Sequence, residues 1–244
     1  MTPDISKRLA ARQRPAGLAV GRQRWTELLF LHWEIEPSVI QRSLPPGLTV
    51  DTHEGKAYLG IVPFYMDRIR PSFLPPVPWI SWFLELNVRT YVLDENGNPG
   101  VWFYSLDCNQ PLAVAIARRL FHLPYQHARM EASKHEGHVH YTCTRQGLDE
   151  SWSYEWNRSE VLQEAEPGSL EFFLVERYAL FSQGRGGRLF QGRVSHTPYR
   201  FMNAQVTTFS SGPAGALGFA LAGAPCSALA SPGVDVEVFG LTSV

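Results

Sequence analysis

Cysteine is scarce in this chain. Cys108, Cys143 and Cys226 lie far apart and form no C-x-x-C pair, so neither a disulfide framework nor a zinc knuckle is expected and all three read as buried thiols. Long apolar runs are missing as well: stretches such as LLFL and VPWI fall far short of the ~20 residues a membrane span needs. No secretory hydrophobic segment stands near Met1. Nor does one sign of charge prevail. Lys and Arg total 22 against 23 Asp and Glu, which leaves no global field to draw the chain to nucleic acid or to an anionic membrane. The expectation is a soluble, cytoplasmic protein with neither nucleic acid nor membrane as partner. The sequence also has no G-x-S-x-G elbow, Walker loop or G-x-G-x-x-G, and its GRGG leads into a strand-like run instead of a helix. Nucleotide-cofactor chemistry therefore has no support, and no cofactor is expected.

What is present is enough apolar material, 44% of 244 residues, for a sizeable core. Residues 1–24 carry Lys7, Arg8, Arg12, Arg14, Arg22 and Arg24 with Asp4 as their only acid, and read as a basic, solvated arm ahead of a single domain over 25–244. Strand-like runs then alternate with turns. WTELLFLHWEI is followed by a short helix candidate at PSVIQRSL, then by AYLGIVPFYM, where Pro63 hints at an edge or a bulge. NQPLAVAIARRLFHL reads as a helix ended by Pro124, and SLEFFLVER as a second one capped by Ser169. Further strands are expected at RMEAS, HVHYTCTR, WSYEW, YALFS, RLFQGRV, AQVTTF and VDVEVFGL. Many short strands with few helices predict an α+β, β-rich fold of the barrel or sandwich kind.

The strongest local signal is the hairpin FLELNVRTYVLDENGNPGVWFYSLD, two β-branched and aromatic runs around a turn rich in Asp, Asn and Gly. Pairing Leu93 with Val101 sets Tyr91 opposite Phe103, Arg89 opposite Ser105 and Asn87 opposite Asp107. One face then carries Glu85, Asn87, Arg89, Tyr91, Ser105 and Asp107, and the other is apolar. Such a sheet has either a wet side and a core side or a polar lumen, in which Arg89 would keep one carboxylate ionised while burial neutralised another. A slip of one residue would dissolve this grouping.

Weaker patterns surround it. KHEGHVH holds His135, His138 and His140, but it is H-E-x-H with Gly137 inside, so it reads as a hairpin turn and no metal site is expected. The apolar, proline-rich segment 73–83 reads as packing, as a lid or as a homodimer contact. In RRLFHLPYQHARM, Arg118 and Arg119 fall in the last turn of a helix, where a cation complements the dipole. One of them is left to face a cavity.

LLFLHWEI, LPPGLTVDTHEGKAYLGIVPFYM, ELNVRTYV, GVWFYSLD, ARRLFHLPYQHARM, PGSLEFFLVERYALF and SPGVDVEVFGL together resemble the YqjF-like family of uncharacterised conserved proteins, over nearly the whole chain after Trp25. That family is in turn similar to the acetoacetate decarboxylase-like superfamily, which implies an antiparallel β-barrel or cone enclosing a ligand cavity, with a few short helices. The decarboxylase forms a Schiff base through a lysine after a Phe-Pro step. The similar step here is Leu123-Pro124, followed by Tyr125 and Gln126, neither of which forms an imine. Lys7, Lys56 and Lys134 are the only lysines, and none has the apolar flanks that depress a lysine pKa. The resemblance thus implies a small-molecule ligand in a barrel without Schiff-base chemistry. Glu85, Asp107 and Tyr125 are the expected acid/base groups, and Asn87, Arg89, Arg118, Glu176 and Arg177 the expected substrate contacts. The product of this reading is a lyase-like or acid/base enzyme on a small carboxylate- or carbonyl-bearing molecule. Its alternative is a noncatalytic ligand binder or an oligomeric interaction protein.

Overall fold

The structure is a computed structural model that describes residues 5–158 and 161–244. Among the described residues, seven strands close into a barrel: β1 (Gly21–Ile35), β2 (Ala57–Pro71), β3 (Phe83–Asp94), β4 (Pro99–Cys108), β5 (Ala179–Gln183), β6 (Leu189–Ser195) and β7 (Ser227–Val238). Around the ring the order is β4-β5-β6-β7-β1-β2-β3, and β3 returns to β4. All of these contacts are antiparallel except β4 with β5. The far half of β4 instead pairs with strand Tyr125–His135, which opens a second sheet through His138–Arg145, Trp152–Asn157 and Gln205–Thr208.

This arrangement buries the barrel wall on both sides, so β3 is buried along nearly its whole length although polar and apolar residues alternate in it. Its inward residues join Leu28, Phe30, Val62, Phe64 and Leu106 in one core. Its outward residues Leu84, Leu86 and Val88 join Leu29, Leu31, Leu59, Ile61, Tyr141, Trp152 and Trp156 in another, between barrel and second sheet. Helix Leu170–Val175, with Ser169 Oγ accepting from Phe172 N, inserts Phe172 and Phe173 into the inner core. Helix Pro111–Leu120, capped by Gln110 and begun by Pro111, lies across one end.

Three local devices set the geometry. Asp94 accepts from the N–H groups of Asn96 and Asn98, and Gly97 takes φ +74°, which folds the hairpin back between β3 and β4. Pro63 sits where β1 and β2 lose register, between the pairs Thr26–Tyr65 and Leu31–Ile61, so its missing N–H falls at a bulge. A second bulge lies in β4. Arg89 faces Phe103 and Tyr91 faces Val101, but beyond the irregularity Val88 faces Ser105, Asn87 faces Leu106 and Glu85 faces Cys108. The extra residue, Tyr104, turns Ser105 and Asp107 away from Glu85 and Asn87.

The expected solvated arm is corrected from Ile5 onward, residues 1–4 lying outside the described residues. Ile5–Ala11 forms a helix. Arg8 is buried there and gives two 2.8 Å hydrogen bonds to Asp51, while Arg12 reaches Glu176 at 3.1 Å. Their guanidinium groups lie over the rings of Phe173 and Phe172. Charge composition cannot reveal such docking, because the acids that attract these arginines are far away in sequence.

Candidate functional site

A cavity of 420 Å³ occupies the barrel interior beneath helix Pro111–Leu120. That volume lies within the range of about 300–1,000 Å³ usual for small-molecule sites. Its walls are apolar, with Val62, Phe64, Met66, Phe83 and Leu106 prominent; its inner polar groups are Glu85, Asn87, Arg89, Tyr125, Arg177 and Tyr199, and Arg22, Gln23 and Arg70 line its more exposed margin. An open groove of 640 Å³ runs outside the barrel past His127, Arg129 and Arg145, but it lacks this enclosure.

Glu85 and Tyr125 form the closest polar contact inside. Tyr125 Oη donates to Glu85 Oε2 at 2.6 Å, and both residues are buried. Loss of solvent pushes the Glu85 carboxyl up to about 7, against the weaker lowering effect of hydrogen bonds from Tyr125 and Asn87. The same burial, reinforced by the Glu85 charge, holds the Tyr125 phenol well above its ordinary range. Near neutrality Glu85 therefore stands between its two protonation states while Tyr125 keeps its proton.

Tyr125 owes its place to the Leu-Pro step. Helix Pro111–Leu120 ends at Phe121, His122 takes φ +53°, and the chain after Pro124 enters the strand beside β4, with Tyr125 next to Leu106. Arg118, expected as a cavity arginine, is corrected here. It is exposed, and its Nε donates to the Tyr125 carbonyl at 2.7 Å. Helical periodicity turns it outward, so it holds the start of strand Tyr125–His135 from behind; Arg119 is exposed too.

Four arginines line the cavity: Arg22 and Arg70 stand on its more exposed margin, and Arg89 and Arg177 lie deeper. Arg89 has no ion pair among the described residues. One terminal nitrogen reaches the Leu174 carbonyl at 3.3 Å, its buried Nε has no partner, and its guanidinium lies over Phe30 and Tyr91. Arg177 is held by Asp51 at 2.7 Å and by the Phe173 carbonyl at 2.8 Å, and its second terminal nitrogen is buried without a partner. Asn87 Oδ1 is likewise unpartnered.

Two other expectations are corrected. Asp107 is fully buried but on the outer face of the wall, where Arg145 grips both its oxygens at 2.6 and 2.7 Å and also reaches Ser105 at 2.9 Å. The β4 bulge removed it from the Glu85 face. Glu176 does not line the cavity and pairs with neither Arg177 nor Asp107. It accepts from Arg12, from the Tyr178 hydroxyl and from Tyr199 N, and so locks the N-terminal helix to the barrel.

Sequence reasoning missed His32. Its Nε2 lies 2.6 Å from Tyr91 Oη, and burial first, then Arg89 and Arg177, lowers its pKa well below the ordinary value. A Cβ on Gly60 would come within 3.1 Å of the His32 ring and 3.5 Å of the Arg89 stem, so the absence of a side chain there lets these two meet. The alternation of Leu28, Phe30 and His32 along LLFLHWEI was the available signal, since period two sets all three on one face. Among the described residues, no cluster of three or more His, Cys, Asp or Glu could hold a metal, and no helix is long and apolar enough to cross a membrane.

Comparison with known proteins follows the same outline. Over 192 residues, 78% of each chain, the sequence is 36% identical to the uncharacterized protein YqjF of Bacillus subtilis (strain 168). An acetoacetate decarboxylase from Legionella pneumophila superposes with a TM-score of 0.66 at 13% identity, over 95% of this chain and 91% of that one. The enduracididine biosynthesis enzyme MppR, complexed with pyruvate, gives 0.64 at 14% identity over 95% and 93%. The fold is therefore that of the acetoacetate decarboxylase-like proteins. With a family profile matching residues 22–235, the chain belongs to the DUF2071 family of uncharacterized conserved proteins.

Proposed function

We propose that the barrel cavity binds a small carboxylate- or carbonyl-bearing molecule and performs acid/base chemistry on it, without a Schiff base. The Tyr125–Glu85 hydrogen bond inside the cavity carries this reading. A carboxyl titrating near neutrality is suited both to take and to return a proton. In the simplest step, the Glu85 carboxylate removes a proton from the carbon next to a ligand carbonyl; the C–H electron pair forms the carbon–carbon double bond of an enolate, and the carbonyl π pair moves to the oxygen. Arg89 and Arg177, each with an unpartnered nitrogen, supply positive charge for that oxygen or for a neighbouring carboxylate. Tyr125 fixes the Glu85 oxygen that works, and Asn87 offers a further contact.

Lysine independence is supported by position. Lys7 bonds to the Asn96 carbonyl, Lys56 pairs with Glu34 and Lys134 with Glu27, and none lines the cavity. The step needs no metal or cofactor, and a cytoplasmic setting with small-molecule metabolites suits it. The likeness to a pyruvate-bound enzyme concerns the fold alone, but it makes pyruvate and acetoacetate reasonable first ligands.

The test is solvent exchange. In D₂O, the protein should catalyse deuterium incorporation next to the carbonyl of a bound keto acid, and Glu85→Gln should abolish it while ligand still binds. Binding without exchange would instead favour the noncatalytic ligand binder. Borohydride reduction with acetoacetate should leave the protein's mass unchanged, and a trapped lysine adduct would end the lysine-free reading. A homodimer contact through segment 73–83 is also proposed, because Phe73, Trp79 and Trp82 are exposed there. Light scattering that finds a monomer at micromolar concentration would refute it.

A further inference from the structure

The cavity is larger than its polar floor requires. A two- or three-carbon acid set against Arg89 and Arg177 would leave Val62, Phe64, Met66 and Phe83 facing empty or poorly bonded space, because water there finds few partners. The lining also does not stop inside the barrel. It continues along helix Pro111–Leu120 through Leu112, Ile116 and Leu120, which are 47%, 46% and 65% exposed, and on the other side through half-buried Ile80. Gln110 Nε2 donates to the Trp79 carbonyl at 2.8 Å and ties the two sides of this rim together. A largely apolar channel thus runs from two guanidinium groups, each with one unpartnered nitrogen, to a surface margin that also carries Arg22 and Arg70, and a helix that should hide its apolar stripe leaves it facing the opening.

We propose that the ligand is an amphiphilic monocarboxylate, with its head at Arg89 and Arg177 and an alkyl or aryl tail that runs along the apolar wall to Ile116 and Leu120. This rests on the carboxylate reading above and adds the substrate class. The tail fills the space a keto acid alone leaves empty and covers the exposed stripe. The head occupies the only end of the channel where buried donors lack partners among the described residues.

Calorimetric titration with acetate, hexanoate and decanoate tests it. Burial of each added methylene should tighten binding about fourfold, so decanoate, four methylenes longer, should bind roughly 200-fold more tightly than hexanoate, and decanol should bind more weakly than decanoate. Ile116→Asp and Leu120→Asp, at exposed positions where the fold tolerates them, should weaken decanoate at least tenfold with the circular dichroism spectrum retained. If hexanoate and decanoate bind equally, or if both aspartate variants bind decanoate like the parent, the tail channel is wrong while the carboxylate reading survives. If no carboxylate of any length binds, the carboxylate reading itself has failed. Sedimentation with carboxylate-free phosphatidylcholine vesicles would also overturn the proposal, by assigning the rim to a lipid surface.

Discussion

Replacing Glu85 by Gln should make the protein more stable at alkaline pH and leave it nearly unchanged at acid pH. The carboxyl titrates near 7 in the folded chain and at its ordinary value, near 4.5, in the unfolded one. Between those values the folded state holds a proton that the unfolded state has released, so stability falls as pH rises through this window. Each pH unit is worth about 1.4 kcal/mol, so ionised Glu85 costs roughly 3 kcal/mol above pH 7. Full burial means that solvent does not screen this cost away. Glutamine keeps an oxygen for the Tyr125 hydroxyl and never ionises. Urea unfolding of both proteins at pH 5 and pH 9 should show a difference within about 1 kcal/mol at the lower pH and a gain of about 3 kcal/mol for the variant at the higher one. His32 and His196, both held neutral by burial, lower stability on the acid side in both proteins and cancel in the comparison. A difference that does not change between pH 5 and pH 9 would refute the burial of an ionisable group at this position.

Arg145→Met strands the buried Asp107 and Ser105 Oγ, and should cost about 3–5 kcal/mol in chemical denaturation; the double variant Arg145→Met, Asp107→Leu should recover most of it. Arg89→Met removes only one long hydrogen bond to a carbonyl and orphans no carboxylate, so unfolding should shift by about 1 kcal/mol or less while carboxylate binding is lost in calorimetry. Arg8→Met leaves Asp51 with Arg177 alone, and should lower stability by about 1.5–3 kcal/mol, with faster amide exchange in helix Leu170–Val175 as its signature.

The strand pattern, the start of helix Leu170–Val175 and the end of helix Pro111–Leu120 were legible because they depend on local chemistry: alternation, an N-cap at Ser169, a proline stop at Pro124. The inward alternation of Glu85, Asn87, Arg89 and Tyr91 was legible for the same reason, since β3 is regular along its length. Asp107 was misplaced because its side is decided by the bulge at Tyr104, which is fixed by what the two faces of β4 pack against. Nothing in GVWFYSLD marks it. Arg118 failed differently. The helix was read correctly, but which stripe of it meets the barrel depends on the tertiary crossing, and the side that lines the cavity holds Leu112, Ala113, Ile116, Ala117 and Leu120. The N-terminal arm failed because Asp51 and Glu176, its anchors, are distant in sequence.

One site residue, Tyr125, was placed by resemblance and not by periodicity, and its surroundings suggest why a phenol is tolerated where the decarboxylase uses an amine. The neutral lysine that imine chemistry needs is disfavoured beside an ionised Glu85, because the carboxylate would stabilise the ammonium form. A tyrosine meets the opposite condition. Burial first, and then the same carboxyl, raises the phenol's pKa and keeps its proton in place, and Glu85 gives it an acceptor at 2.6 Å. Glu85 and Tyr125 are thus compatible as a buried pair without a counter-ion, and the nearby arginines need not spend their charge on them. Arg177 is neutralised by Asp51, which it shares with Arg8, and Arg89 by nothing among the described residues. When Glu85 is protonated the cavity therefore carries a positive excess, and buried charge of that kind persists only where something compensates it. On the proposed reading, an anionic ligand completes the electrostatics of the barrel floor that the protein's own side chains leave open.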